Sequence, residues 1–146
     1  MAATESAHVP NLAEGPEMLN PKHWPVPKGY SNGMIGEGRI LVTGGIIGWD
    51  ETGAFADGFV AQARKIFESI CSILTEGGAQ PRHLVRLTWY VVDMDEYLAH
   101  LRELGRAYRE YFGPHYPAMA LVQVVRLVEK AARLEIEATA IVPTAK

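Results

Sequence analysis

From Phe59 onward apolar residues recur at helical spacing. Val60, Ala63, Ile66, Phe67, Ile70, Cys71 and Leu74 fall on one stripe. Gly77-Gly78 ends this predicted helix, and Asp57 stands where an N-cap would. The period then shortens to two. HLVRLTWYVVDM, rich in β-branched and aromatic residues, predicts a strand. Asp95 is expected to cap a second helix running to Phe112, with Tyr97, Leu98, Leu101, Leu104, Tyr108 and Phe112 on or near its buried side. Gly113-Pro114 stops it, and two more strands, Met119–Leu127 and Arg133–Val142, close the chain. Ahead of the first helix, YSNGMIGEGRILVTGGII predicts two short strands around a turn at Gly36-Glu37-Gly38. Residues 1–28 carry Pro10, Pro16, Pro21, Pro25 and Pro27 with little periodicity. They read as an extended arm, partly disordered at its start, before a domain over 29–146. Trp24 is the arm's large anchor, read as a lid over an apolar surface of the same or a neighbouring subunit in preference to a ligand contact.

The order ββ(β)αβαββ places two helices on one face of a mixed sheet, an α+β domain. LTWYVV and LEIEATAIV are too apolar for the other face to meet water. No further element of the chain can cover it, so self-association is the simplest cover.

Composition narrows the function. The 146 residues hold 21% charged and 48% apolar side chains, an ordinary globular mix in one domain. A net charge of −3 gives no basic footprint for nucleic acid. No apolar run is long enough to span a membrane, and the N-terminus lacks the pattern of a secretory signal. Cys71 stands alone, so no internal disulfide forms; a reducing, cytoplasmic setting is expected. His8, His23, His83, His100 and His115 show no paired metal-ligand spacing. The glycines near Gly36 lack the following helix that a phosphate loop requires. Asp93 and Asp95 read as a strand end and a helix cap, not as a catalytic pair.

Three segments carry a resemblance. PKGYSNG precedes the first strand, ILVTGGI ends the second, and YPAMALVQVVRL followed by RLEIEATAIV closes the chain. Together they resemble the RidA/YjgF family of enamine/imine deaminases over roughly Pro27 to Pro143. The resemblance implies a chorismate-mutase-like α+β fold and a homotrimer with a central β-barrel. It also implies small-molecule clefts between subunits, which would supply the missing cover for the sheet. In the family the residue after Pro-Ala is typically an arginine that grips a carboxylate in a bidentate manner. Here it is Met119, with Leu121 two residues on; strand alternation puts both on one face with Gln123. The segment is then an apolar site wall, or else a site reduced to plain core. Tyr30 falls on the family's cleft tyrosine, Gly44 on the glycine whose backbone lines the cleft, and Glu135 on the glutamate that orients water. The other reading of Glu135 is a solvated strand residue sharing its face with Glu137. A family asparagine falls near Gly105 or Arg106, which makes Arg106 a candidate relocated anion contact.

The expected chemistry is hydrolytic release of ammonia without a cofactor. Catalysis is assigned to Glu135 and Tyr30, in an apolar cleft that would raise the Glu135 pKa. A conjugated or bulkier enamine, aminomuconate-like, is expected in preference to 2-aminoacrylate. A non-catalytic ligand-binding or sensing role is the alternative. A nuclease or RNA-binding role, sometimes attached to the family, is opposed by the acidic balance.

Overall fold

The computed structural model describes residues 9–144. Strand β7 (Leu134–Val142) is the spine of a five-stranded sheet. Along one edge it pairs antiparallel with β3 (Arg39–Val42) and then β4 (Ile46–Ile47); along the other it pairs antiparallel with β5 (Leu84–Val91). Strand β6 (Ala118–Gln123) runs parallel to β5. Helix α1 (Phe59–Glu76) and the pair α2 (Met94–Ala99) and α3 (Leu101–Phe112) cover one face. This is the expected α+β arrangement. Parallel strands need a long crossover, and α2–α3 supply it between β5 and β6.

Alternation decides what each face holds. On the helix side, Leu87, Trp89, Val91, Leu134, Ile136 and Ala140 are buried against Ala63, Ile66, Phe67, Ile70 and Leu74 of the predicted α1 stripe. Phe67 is the hub. Its ring meets Trp89, Tyr108 and Phe112 edge-on, with centroids 5.6, 5.9 and 5.1 Å away. Gln62 ties α1 to the approach of β7. Its buried amide donates to the carbonyls of Ala56 and Ala131 and accepts from the Arg133 amide at 2.9 Å.

Several local expectations are corrected. The two expected strands do flank Gly36–Gly38, but they do not pair with each other. Strand β2 (Gly33–Ile35) pairs with β1 (Glu17–Leu19) of the N-terminal arm, while β3 joins the long β7. Gly38 (φ 146°) lies so close to the Val142 carbonyl that a Cβ there would clash with it. The turn therefore serves the approach to β7. The arm thus carries a strand; its start and His8 lie outside the described residues. Trp24 is 55% exposed in the single chain. The cap of α1 is Gly58 (φ 95°), not Asp57, because the entry angle needs a left-handed residue. Asp93, not Asp95, caps the next helix; its carboxylate accepts from the amides of Asp95 and Glu96. That helix breaks at His100, whose Nδ1 lies 2.7 Å from the Glu96 carbonyl. Leu98 and Leu101 are exposed, and β6 ends at Gln123 rather than at Leu127.

The uncovered face is less apolar than expected. Strand β7 shows it Glu135, Glu137, Thr139 and Ile141, and β5 shows it Arg86, Thr88 and Tyr90. Its exposed apolar residues sit toward its edges, at Ile40, Val42 and Val122.

Candidate functional site

The same alternation separates the predicted site residues onto two grooves. Met119 and Leu121 point to the helix side, where they pair in register with Leu87 and Trp89 of β5. Gln123 shares that side and accepts from the Met94 amide at 2.8 Å. With α2 and α3 these strands bound a cleft of about 650 Å³. Met119, Leu121 and Trp89 form its floor, Tyr97 and Leu104 stand on its helical wall, and Tyr30 lies at its rim.

Tyr30 is held there by its neighbour. The buried Ser31 donates its amide to the Pro117 carbonyl at 3.0 Å and its hydroxyl to the Tyr116 carbonyl. These bonds clamp the segment ahead of β2 to the start of β6. Tyr116 also lines the cleft and stacks on Tyr108, with centroids 5.1 Å apart and planes 9° from parallel. The Tyr108 hydroxyl donates to the His115 carbonyl at 2.6 Å, and burial pushes its pKa up. Burial likewise raises the pKa of Tyr97. The indole N–H of Trp89 is covered and unpaired, a cost of about 1–3 kcal/mol for a buried donor.

Among the described residues, no Asp or Glu lines this cleft. Glu135 is on the opposite face of the sheet, half-buried, in a groove of about 590 Å³ with Gly45, Trp49, Asp50 and Lys65. Within one chain the thickness of the sheet lies between Glu135 and the pair Met119 and Leu121, which were expected together at a cleft between subunits. Gly45 makes room for the carboxylate, since a Cβ there would overlap Glu135 Oε1. The predicted Gly44 borders neither groove and faces open space. It sits where β3 gives way to β4. There the Thr43 hydroxyl replaces a ladder partner by accepting the Ala138 amide at 3.0 Å. Nearby, Asp50 accepts from Thr52 and Ala54, and these bonds, the Thr52 hydroxyl foremost, hold its pKa down.

Arg106 is exposed and does not line the cleft. Arg109 does, beside Gly105. The signal was present in the sequence: Leu101, Gly105 and Arg109 recur every four residues and share a helix face. Among the described residues, no group of three His, Cys, Asp or Glu side chains is placed to hold a metal. No helix of the described residues is long and apolar enough to cross a membrane.

The sequence model of the family described as Endoribonuclease L-PSP matches residues 22–142, a span that includes both grooves and leaves out β1. A RutC family protein of Aquifex aeolicus is 33% identical over 127 residues, covering 86% of this chain and 98% of that protein. A protein of Salmonella typhimurium named 2-iminobutanoate/2-iminopropanoate deaminase is 32% identical over 108 residues, 71% of this chain and 80% of that one. Among solved structures, a Rid-family protein of unknown function from Yersinia pestis superposes with a TM-score of 0.78. It is 27% identical, and the match covers 88% of this chain and 99% of that one.

Proposed function

The chain belongs to the Endoribonuclease L-PSP family, also called YjgF/RidA, and from that membership we propose that it is an enamine/imine deaminase acting on a conjugated substrate larger than 2-aminoacrylate. The observation that carries the substrate size is the cleft floor. Met119 and Leu121 lie on it beside Trp89, with the rings of Tyr30 and Tyr97 also lining the cleft, and the family resemblance puts Met119 in the place of a carboxylate-binding arginine. Such a surface holds a flat, delocalised molecule through dispersion and apolar burial. Relatives named as deaminases of 2-iminobutanoate and 2-iminopropanoate support the reaction class. The net charge of −3 supports a small-molecule substrate over a nucleic acid.

The reaction balances without a cofactor. An enamine takes a proton on carbon to give the iminium; water adds, and the resulting carbinolamine expels ammonia to leave a carbonyl compound. Glu135 is the acid–base group of this scheme, and Tyr30 holds water or substrate. Because the two lie on different grooves of one chain, the scheme needs a second copy. In a homotrimer, the Gly45–Glu135 groove of one subunit would close the Tyr30–Met119 cleft of the next. The exposed Ile40, Val42 and Val122 on the open face of the sheet support such association.

Ammonia release is to be measured across a panel running from enzymatically generated 2-aminoacrylate to amino-dienoates, with light scattering in parallel. The larger conjugated enamines are expected to turn over faster, and the mass to be about three times the 16.1 kDa chain. Glu135→Gln should lower turnover by about 10²–10⁴-fold, the usual range for one general acid–base group, and change binding much less. Normal turnover by that variant would remove Glu135 from the mechanism. Tight binding of one enamine with turnover of none would make the protein a sensor or carrier.

A further inference from the structure

Arg109 leaves the last turn of α3 and lies back along the helix. Its Nη1 is 3.3 Å from the point a Cβ at residue 105 would occupy. The guanidinium therefore rests over Gly105, one turn toward the helix N-terminus, and away from the terminal carbonyls that a basic residue in a last turn would otherwise serve. Glycine in a helix interior is less favourable than alanine. At position 105 it gives the guanidinium its berth. No carboxylate pairs with Arg109 among the described residues, whereas Arg64 and Arg133 pair with Glu110 and Glu96 at 2.5 and 2.7 Å. Among the described residues, Arg109 and Lys28 are the cations of the cleft lining, and no acidic residue there offsets them. The cleft thus carries positive charge at Arg109 on α3 and at Lys28, and apolar surface on its floor.

We propose that Arg109, berthed over Gly105, is the carboxylate receptor of this cleft. The substrate then lies with its acid group against α3 and its conjugated remainder across Met119 and Leu121. This deepens the deaminase reading and rests on it for the identity of the reacting group. It also gives the cleft a polarity. An imino or enamino acid anchored on α3 is turned relative to one anchored by a cation at position 119 on the floor. A planar guanidinium suits this task because its paired N–H groups match the two oxygens of a carboxylate.

The test uses binding, so it does not depend on turnover. Phenylpyruvate, an aromatic 2-oxo acid of the kind imine hydrolysis produces, and its uncharged methyl ester are titrated into the protein by calorimetry. The wild type should bind the acid about tenfold more tightly than the ester, the lower end of what a charge-assisted pair contributes. Arg109→Gln should bring the two within about threefold, by weakening the acid alone. Gly105→Leu fills the berth and should also remove the preference, Lys28→Gln should reduce it less than Arg109→Gln does, and Arg106→Gln should keep it. The proposal is overturned if the wild type binds acid and ester alike or binds neither. It is equally overturned if Arg109→Gln keeps the preference, or if Lys28→Gln or Arg106→Gln removes it as fully. Should the binding pattern hold while no imine is turned over, the deaminase reading fails and the receptor stands. Turnover of imino acids that Arg109→Gln leaves unchanged does the opposite: the receptor fails and the deaminase reading stands.

Discussion

On the helix-covered face of the sheet, Trp89, Leu134 and Ile136 are buried; on the other, Tyr90, Glu135 and Glu137, each adjacent in the chain, are half-buried. One pair of strands builds both. The covered face obeys packing, and its residues can be exchanged only for others of matching shape. The open face combines packing with polar chemistry. Tyr90 donates to Glu137 at 2.8 Å, and that bond leads the causes that raise the Tyr90 pKa. Glu135 stands opposite Tyr90 in the register and keeps its carboxylate over Gly45. The faces differ because each strand residue turns its side chain the opposite way from its neighbour. One sequence stretch, LEIEATAIV, thereby specifies a core wall and a candidate reactive wall at once.

The largest break is expected on the covered face. Phe67→Ala removes the ring on which Trp89, Tyr108 and Phe112 converge, and should destabilise the fold by about 3–5 kcal/mol in urea denaturation. An effect under about 1 kcal/mol would mean that the aromatic cluster is not the centre of the core. On the open face a more disruptive change in chemistry should cost less. The double variant Ile40→Asp, Val42→Asp replaces side chains that are 74% and 65% exposed. Its stability within one chain should fall by about 1 kcal/mol per site or less, the span of strand propensities. Its mass by light scattering should drop toward the 16.1 kDa monomer. A double variant that keeps the wild-type mass would clear this patch of any part in assembly.

The smallest effect sharpens the comparison at the end of the sheet where β5 begins. His83 is buried there, and its Nδ1 accepts the Gln80 amide at 3.0 Å, a role only the neutral ring can play. Burial, with Arg82 and His115 nearby, holds its pKa below the ordinary value. The unfolded chain then binds more protons than the folded one, so this contribution is complete above about pH 6.5 and fades as pH falls toward the folded value. The urea midpoint should drop between about pH 7.5 and 5.5, and more steeply for the wild type than for His83→Asn, which can accept the same amide without titrating. Equal slopes would assign the pH dependence to other groups.

The succession from α1 to β7 apart from the break at His100, the α1 stripe and the two-residue alternation of β5 and β7 were legible in the chain, because each is a local consequence of side-chain spacing and turn residues. So was the apolar character of the stretch after Pro117-Ala118, where Met119 and Leu121 stand. Three features took the folded chain to decide. The β1–β2 pairing depends on which distant edge β3 prefers, and the long β7 claims it. Asp93 displaces Asp95 as a cap because strand β5 ends at Val91, two residues before the helix can start. Glu135 and Met119 belong to different grooves because β7 and β6 are joined through β5 in one register, and that register turns their side chains to opposite sides. Spacing within a strand reports which neighbours share a face. Which face each strand turns to the helices is set by long-range pairing and by the apolar area that pairing buries.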